Sequence, residues 1–413
     1  MNARALALAA ICEWRSGRRF ADSILQELLD RSRLSSADRA FTNELFYGVL
    51  RNLTLLDFWI GRLRVAPVDD ASRDLLRLGL YQLFFLRTPG HAAIFETVAV
   101  ASARRRPLIN GILRTAQRRF TELETAAQTA PLTTRESHPA FLLERWQRAF
   151  GAEATAALCR WNNAPAPLYA RINLLKTSTE KFLSENVSSE LLTESKTFVR
   201  LGSIPFDAVA RGECYIQDPS TQIACALLNP QAGEDVLDAC AAPGGKTALL
   251  AEMMKNHGRL IACDRDASRI ETLRENLRRL GVTTASMIRY DWESGGALPN
   301  EIPAVFDRIL IDAPCTNTGV MRRRVDVRWR LQPDDFARMA HQQLGILRGV
   351  IPLLKPGGAL AYSTCSIEAE ENEQVIQQAL REFPFLEFEE QRSAMPFRDQ
   401  FDGAFAARFR RTN

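Results

Sequence analysis

Apolar residues recur three and four positions apart through the first part of the chain. Phe41, Leu45, Val49 and Leu53 form one such stripe, and Leu75, Leu76, Leu80, Leu83 and Phe84 form another. This spacing gathers apolar side chains on one helix face, and Pro67, Pro89 and Gly90 punctuate the gaps. The pattern predicts an all-helical bundle over residues 1–125. The apolar run between Ala5 and Ile11 is too short for an export signal, has little positive charge before it, and is followed at once by Glu13 and Arg15; it reads as a buried helix face. Residues 126–138 include Pro131 and lose the period, which predicts a linker. Residues 139–213 are mixed in pattern and define no element.

From 214 to 413 the pattern changes. Short apolar runs at 235–239, 260–263, 286–290, 308–311, 359–363 and 404–409 alternate with longer helical stretches. That alternation predicts an α/β domain with a doubly wound, Rossmann-like sheet. Such sheets bind ligands beyond the carboxyl ends of their strands, so candidate chemistry belongs in the loops there.

Composition adds limits. At 413 residues, 46% hydrophobic and 25% charged, the chain fits a soluble protein of more than one domain. No run of about 18 apolar residues occurs, which argues against a membrane span. The eight cysteines show neither CxxC pairs nor zinc spacing, so free thiols in a cytoplasmic protein without metal are expected. Charge is more informative when divided. Residues 1–120 hold 19 arginines against 11 acids, about +8, although the whole chain is only +4. Guanidinium groups pair bidentately with phosphate, so the first domain is expected to meet a polyanion. Arg104, Arg105 and Arg106 precede its last helix, and Arg114 and Arg118 lie one turn apart on it.

The first strand of the second half runs into Asp238-Ala239-Cys240-Ala241-Ala242-Pro243-Gly244-Gly245-Lys246-Thr247, with a helix after it. The glycine pair permits a sharp turn and close backbone approach, and free N–H groups at the helix start can hold an anion. The second strand ends in Asp264, an acid placed to accept hydrogen bonds from a ribose. Together these features suggest a nucleoside cofactor. A nucleotide triphosphatase is the competing reading, because Gly245-Lys246-Thr247 resembles the end of a phosphate-binding loop and Asp312 follows an apolar strand. That loop, however, requires glycine where the chain has Cys240.

Two strand ends carry thiols: Asp312-Ala313-Pro314-Cys315 followed by Thr316-Asn317-Thr318-Gly319, and Ser363-Thr364-Cys365-Ser366. Neighbouring strands would bring both cysteines to one cleft. Most free cysteines are simply small buried hydrophobes, but polar strand-end loops give packing no reason for a thiol.

The strings DACAAPGGKT, DAPCTNTG and STCSIEAEENE, with QDPSTQ at 217–222, resemble the RNA cytosine-C5 methyltransferases of the Fmu/Sun type, which include the Nop/Sun proteins. The likeness covers about 139–413, and several motifs in order are more specific than any one. The helical first domain is similar to the NusB-type RNA-binding domain, especially at 108–114. The combination resembles the bacterial 16S rRNA cytosine-C5 methyltransferases, with 139–213 a family-specific extension and 214–413 the catalytic domain. One departure stands out. The family usually has proline before the aspartate that follows Gly319, whereas this chain has Val325-Asp326 within an arginine-rich loop.

The resemblance implies S-adenosylmethionine as cofactor, held by Cys240, Ala241, Ala242, Pro243, Gly244, Gly245 and Lys246, with Asp264, Asp291 and Asp312 on its ribose, adenine and methionine ends. It implies Cys365 as the nucleophile that adds to cytosine C6, Asp312 as support at the N3 and N4 edge, Lys246 as favourable charge, and Cys315 as the group assisting release. DNA cytosine-C5 enzymes attack with the Pro-Cys cysteine and lack the second, so both together favour RNA. Arg323 and Arg328 are expected to join Arg104, Arg105, Arg106, Arg114 and Arg118 on it. A monomer acting on 16S rRNA is the expected form. Transfer RNA as substrate, or an inactive RNA-binding protein, are the alternatives.

Overall fold

A computed structural model describes residues 2–86, 88–193 and 195–412. The chain divides into two compact units, Met1–Ala164 with Met321–Arg330, and Pro165–Val320 with Leu331–Asn413.

The first unit is helical. Its leading helices are Ala3–Arg15, Ala21–Asp30, Ser36–Arg51, Leu53–Leu63, Asp70–Phe85, Gly90–Ala99 and Arg106–Arg118. The apolar stripes read from the sequence form its core: Leu45, Val49, Leu75, Leu76 and Leu80 are buried, as are Leu6, Ala7, Ala10 and Ile11 of the opening run. Each such Leu or Ile contributes about 1.5–3 kcal/mol through burial. The side chains of Asn2, Ser35 and Asp69 accept hydrogen bonds from first-turn N–H groups and start three of the helices. Gly48 gives space to the Tyr81 ring, which a Cβ there would approach to 2.0 Å. Gly48→Ala would therefore displace the Tyr81 ring.

The expected linker is largely helix. Phe120–Gln128 and Leu132–Arg135 occupy it, and Ala140–Phe150 and Ala152–Asn163 complete the unit. Only Leu123 and Ala127 of the nine residues in Phe120–Gln128 are buried, too few to show a period. The Trp59 indole donates to the Leu123 carbonyl at 2.9 Å and fastens this helix.

Met321–Arg330 also belongs to this unit, and the burial of Arg328 within it corrects the expectation that this arginine meets RNA. Val325 is buried in the helical core. Asp326 accepts the Ala21 N–H at 2.8 Å, and the Trp329 indole donates to Leu50 at 2.8 Å. Arg328 is fully buried and donates to Asn163 Oδ1 at 2.7 Å and to the carbonyls of Ser137 and Asn162. Its guanidinium joins helix ends inside the unit and offers no face to phosphate. Arg323 is half-buried.

The second unit contains two sheets. Strands β1 (Leu168–Ile172), β2 (Ser189–Leu191), β3 (Phe198–Leu201) and β4 (Cys214–Ile216) form an antiparallel sheet in the order β2-β3-β1-β4. Strands of three to five residues are too short to display alternation, hence the mixed sequence pattern. The larger sheet contains β5 (Asp235–Asp238), β6 (Arg259–Asp264), β7 (Ala285–Arg289), β8 (Phe306–Asp312), β9 (Leu354–Thr364), β10 (Leu386–Ala394) and β11 (Ala404–Arg411), in the order β10-β11-β9-β8-β5-β6-β7. Five strands are parallel, while β11 and β10 are added antiparallel. Strand β10 gives no apolar run because it is a polar edge strand, rich in glutamate. Strand β5 pairs with both β6 and β8, so the chain departs in opposite directions from this pair. A crevice opens at such a switch point, beyond the ends of β5 and β8.

Candidate functional site

The loop leaving β5 is shaped by its glycines. Gly244 has φ +107°, and a Cβ on Gly245 would meet the Tyr215 ring at 2.8 Å. Helix Gly245–Met253 follows directly, with no side-chain cap on its start, so its first N–H groups remain available to a ligand. Asp238, at the end of β5, is fully buried and accepts from Thr247 Oγ1 at 2.7 Å, while its other oxygen has no partner among the described residues. Burial raises its pKa to about 7, helped by the Asp312 charge and opposed by Thr247. Burial and the surrounding carboxylates push the Cys240 thiol far up, so this cysteine stays neutral.

Asp264 ends β6, is nearly buried, and accepts the Asp266 N–H at 3.0 Å. Arg269 pairs with it at 3.1 Å and also donates to the Ala242 carbonyl. Sequence reasoning did not single out this arginine. Beyond β7, Asp291 accepts from the Glu293 N–H at 3.1 Å, and the buried Trp292 donates to Ala239 at 2.9 Å. A glycine cradle, a buried carboxyl oxygen without a partner among the described residues and a strand-end acid combine backbone donors with carboxylate acceptors, which suits a nucleoside with an ammonium-bearing tail.

Strands β8 and β9 bring the remaining residues together. Lys246 Nζ lies 2.8 Å from Asp312 Oδ2, linking the β5 and β8 loops. The Cys315 and Cys365 sulfurs are 3.2 Å apart. Cys365 also donates to Asn317 Oδ1 at 3.2 Å, and Asn317, at φ +60°, returns a bond to the Cys315 carbonyl. Gly319 allows this approach: its N–H donates to the Cys365 carbonyl at 3.0 Å, which a Cβ on it would reach at 2.6 Å. The hydrogen bond with Cys365 is the main cause raising the Cys315 pKa, followed by burial and the charges of Cys365 and Glu371. A cavity of about 50 Å³ beside Cys365 is lined by Ser220, Thr221, Lys246, Asp402 and Phe405, among others. The structure thus gathers Lys246, Asp312, Cys315 and Cys365 in one place. Asn317 stands in the DAPCTNTG string without an assigned role; an asparagine, which tolerates positive φ, shortly after Pro-Cys is the signal the sequence offers for it.

In the helical unit, Arg104, Arg106, Arg114 and Arg118 are exposed. Arg105 is half-buried and pairs with Asp69 at 3.1 Å, which lessens its availability.

This strand order, with a glycine loop and strand-end acids at the switch point, defines a Rossmann-like methyltransferase. Family models agree: residues 1–118 match the NusB family, 138–196 the ferredoxin-like domain of RsmF/B-like methyltransferases, and 225–410 the 16S rRNA methyltransferase RsmB/F family. The chain is 35% identical to the "Probable ribosomal RNA small subunit methyltransferase B" of Bacillus subtilis, covering 94% of this chain and 90% of that one. It is 37% identical to ribosomal RNA small subunit methyltransferase B of Klebsiella pneumoniae, covering 94% and 91%. Among solved structures, PH0851 is similar with a TM-score of 0.79 at 25% identity, over 99% of each chain. The chain belongs to the ribosomal RNA small subunit methyltransferase B family.

Proposed function

We propose that this protein methylates C5 of a cytosine in 16S rRNA, with S-adenosylmethionine as donor, through a covalent bond between Cys365 and C6. The observation that carries this reading is the contact of the two sulfurs at 3.2 Å, beside the Lys246–Asp312 pair. Its relatives carry names that place them on small-subunit ribosomal RNA.

Cytosine C5 is a weak nucleophile until a group adds at C6. Cys365 lines the same cavity as Lys246 and is the sulfur placed to make this bond. Asp312, held between Lys246 and Ser363, supports the N3 and N4 edge as charge builds there. Bound along Cys240 to Lys246, the cofactor supplies an electrophilic methyl group. Cys315, whose sulfur lies 3.2 Å from that of Cys365, then assists loss of the C5 proton and departure of Cys365. A cytosine within a helix must first be unstacked.

Mapping 5-methylcytosine in total RNA from cells with and without the gene tests the substrate. Loss of one modified cytosine from 16S rRNA is the expected result. Loss confined to transfer RNA would move the substrate, and an unchanged map would end the reading.

A further inference from the structure

Glu371 lies in the run after Cys365 and is completely buried. Its carboxylate accepts four hydrogen bonds. Oε2 takes the Thr316 N–H at 2.8 Å and Gln343 Nε2 at 3.1 Å; Oε1 takes Ser366 Oγ at 2.6 Å and the Thr316 hydroxyl. Thr316 directly follows Cys315, and Ser366 directly follows Cys365. Gln343 also donates to the carbonyl of Pro314, so both neighbours of Cys315 are tied to this one carboxylate. The next residue continues the pattern: Asn372 accepts from Thr364 Oγ1 at 2.6 Å and donates to the Ser366 carbonyl at 2.9 Å.

Removing a carboxylate from water costs several kcal/mol, and an apolar side chain of the same size would avoid that cost. What the carboxylate adds is direction: four donors from two loops and a helix converge on one rigid group. Burial raises the Glu371 pKa and its four donors oppose that rise, as befits a group held for its acceptor capacity.

We propose that Glu371 is a positioning residue for the two-cysteine reaction: it fixes the Cys315 and Cys365 loops so that their sulfurs stay in contact. The proposal rests on the reading that both cysteines act on one cytosine. Glu371 touches neither sulfur and acts through Thr316 and Ser366.

The test uses the full-length protein with Glu371→Leu, Glu371→Gln, Ser366→Ala and Thr316→Val. Sulfur proximity is read without RNA, by treating each protein with diamide. Two thiols give up two electrons and two protons to this azo compound, which becomes the hydrazine, and a Cys315–Cys365 disulfide forms. Its rate is divided by the rate at which iodoacetamide alkylates the same thiols, which removes changes in simple exposure. Glu371→Leu should slow coupling about tenfold or more and lower kcat about a hundredfold, the scale of an ångström-sized misplacement. S-adenosylmethionine affinity should stay within about twofold, since these bonds lie outside the glycine loop. Glu371→Gln should recover most of the coupling, because its carbonyl can face Thr316 N–H and Gln343 while the hydroxyls turn to accept from its amide. Ser366→Ala and Thr316→Val each remove one link without emptying the buried site, and each should slow coupling. Coupling at the normal rate in the Leu variant, or in both hydroxyl variants, would overturn the proposal, as would equal losses in Gln and Leu. If coupling falls as stated but Cys365→Ala still methylates RNA, positioning stands and the two-cysteine reading fails.

Discussion

Ser363 Oγ donates to Asp312 Oδ1 at 2.9 Å, and these two residues are register partners across the parallel strands β8 and β9. The bond is a consequence of strand pairing: once Asp312 and Ser363 are opposite, the loops that follow must run side by side, and Cys315 meets Cys365. Lys246 holds the other oxygen of the same carboxylate at 2.8 Å. Ser363→Ala should leave Asp312 fixed on one side only. A hydrogen bond to a charged group contributes about 1.5–3 kcal/mol, so kcat/KM for methyl transfer should fall about tenfold to a hundredfold. A rate equal to wild type would show that Lys246 alone positions the acid.

The ribose acid gives a second pair of outcomes. Asp264→Ala should weaken S-adenosylmethionine binding by about 1–3 kcal/mol in calorimetry. Arg269 pairs with Asp264 at 3.1 Å and shares its carboxylate. Arg269→Ala should therefore leave binding unchanged or tighten it slightly. Weakening of similar size in both variants would make Arg269 a cofactor ligand instead of a competitor.

The arginines of the helical unit separate by burial. Replacing Arg104, Arg114 and Arg118, all exposed, should weaken RNA binding and flatten its dependence on salt by up to about two or three in log–log slope. The melting temperature should hardly move. Arg328→Ala should do the reverse, costing about 2–4 kcal/mol of stability by leaving buried carbonyls unbonded and a cavity behind. Point substitutions are the better test here, since removing residues 1–125 would strip Val325 and Trp329 of the core they pack against. An unchanged salt slope in the triple variant would place the RNA contact elsewhere.

Asp238 makes stability depend on pH. Its folded pKa is raised to about 7 from an ordinary value of 3.8. The folded state therefore binds the proton more tightly than the unfolded chain. Its contribution is fully present below the unfolded value and is lost as pH climbs to about 7. Asp238→Asn cannot ionise, so relative to wild type it should gain stability between pH 4 and pH 8, by as much as about 4 kcal/mol. Denaturant titrations at several pH values read this difference. Parallel curves for the two proteins would show that Asp238 remains ionised throughout.

Much of this site was legible in the sequence, for a physical reason. The β5, β6, β8 and β9 strands are buried on both faces, so they appear as apolar runs, and the residues at their ends stand out against them. Cys240, Asp264, Asp312, Cys315 and Cys365 were found in this way. Arg269 and Ser363 depend on a helix turn and a strand register that no linear pattern displays. Arg328 was misread because arginines close to a run such as Arg322-Arg323-Arg324 normally mark a solvated face. Only tertiary packing shows Arg328 serving the carbonyls of Ser137 and Asn162. Strand β10 and the helix Phe120–Gln128 escaped because they lie at edges and show few apolar positions.

The central claim, that Cys365 attacks and Cys315 releases, is tested most directly by denaturing gels of each variant mixed with labelled 16S rRNA and S-adenosylmethionine. Cys365→Ala should give neither methylation nor a covalent band, because the group that adds to C6 is gone. Cys315→Ala should attack and accept the methyl group, then stall, so that a protein–RNA adduct accumulates. The double variant should show no adduct. An adduct that forms in Cys365→Ala and vanishes in Cys315→Ala would contradict the account and assign the attack to Cys315.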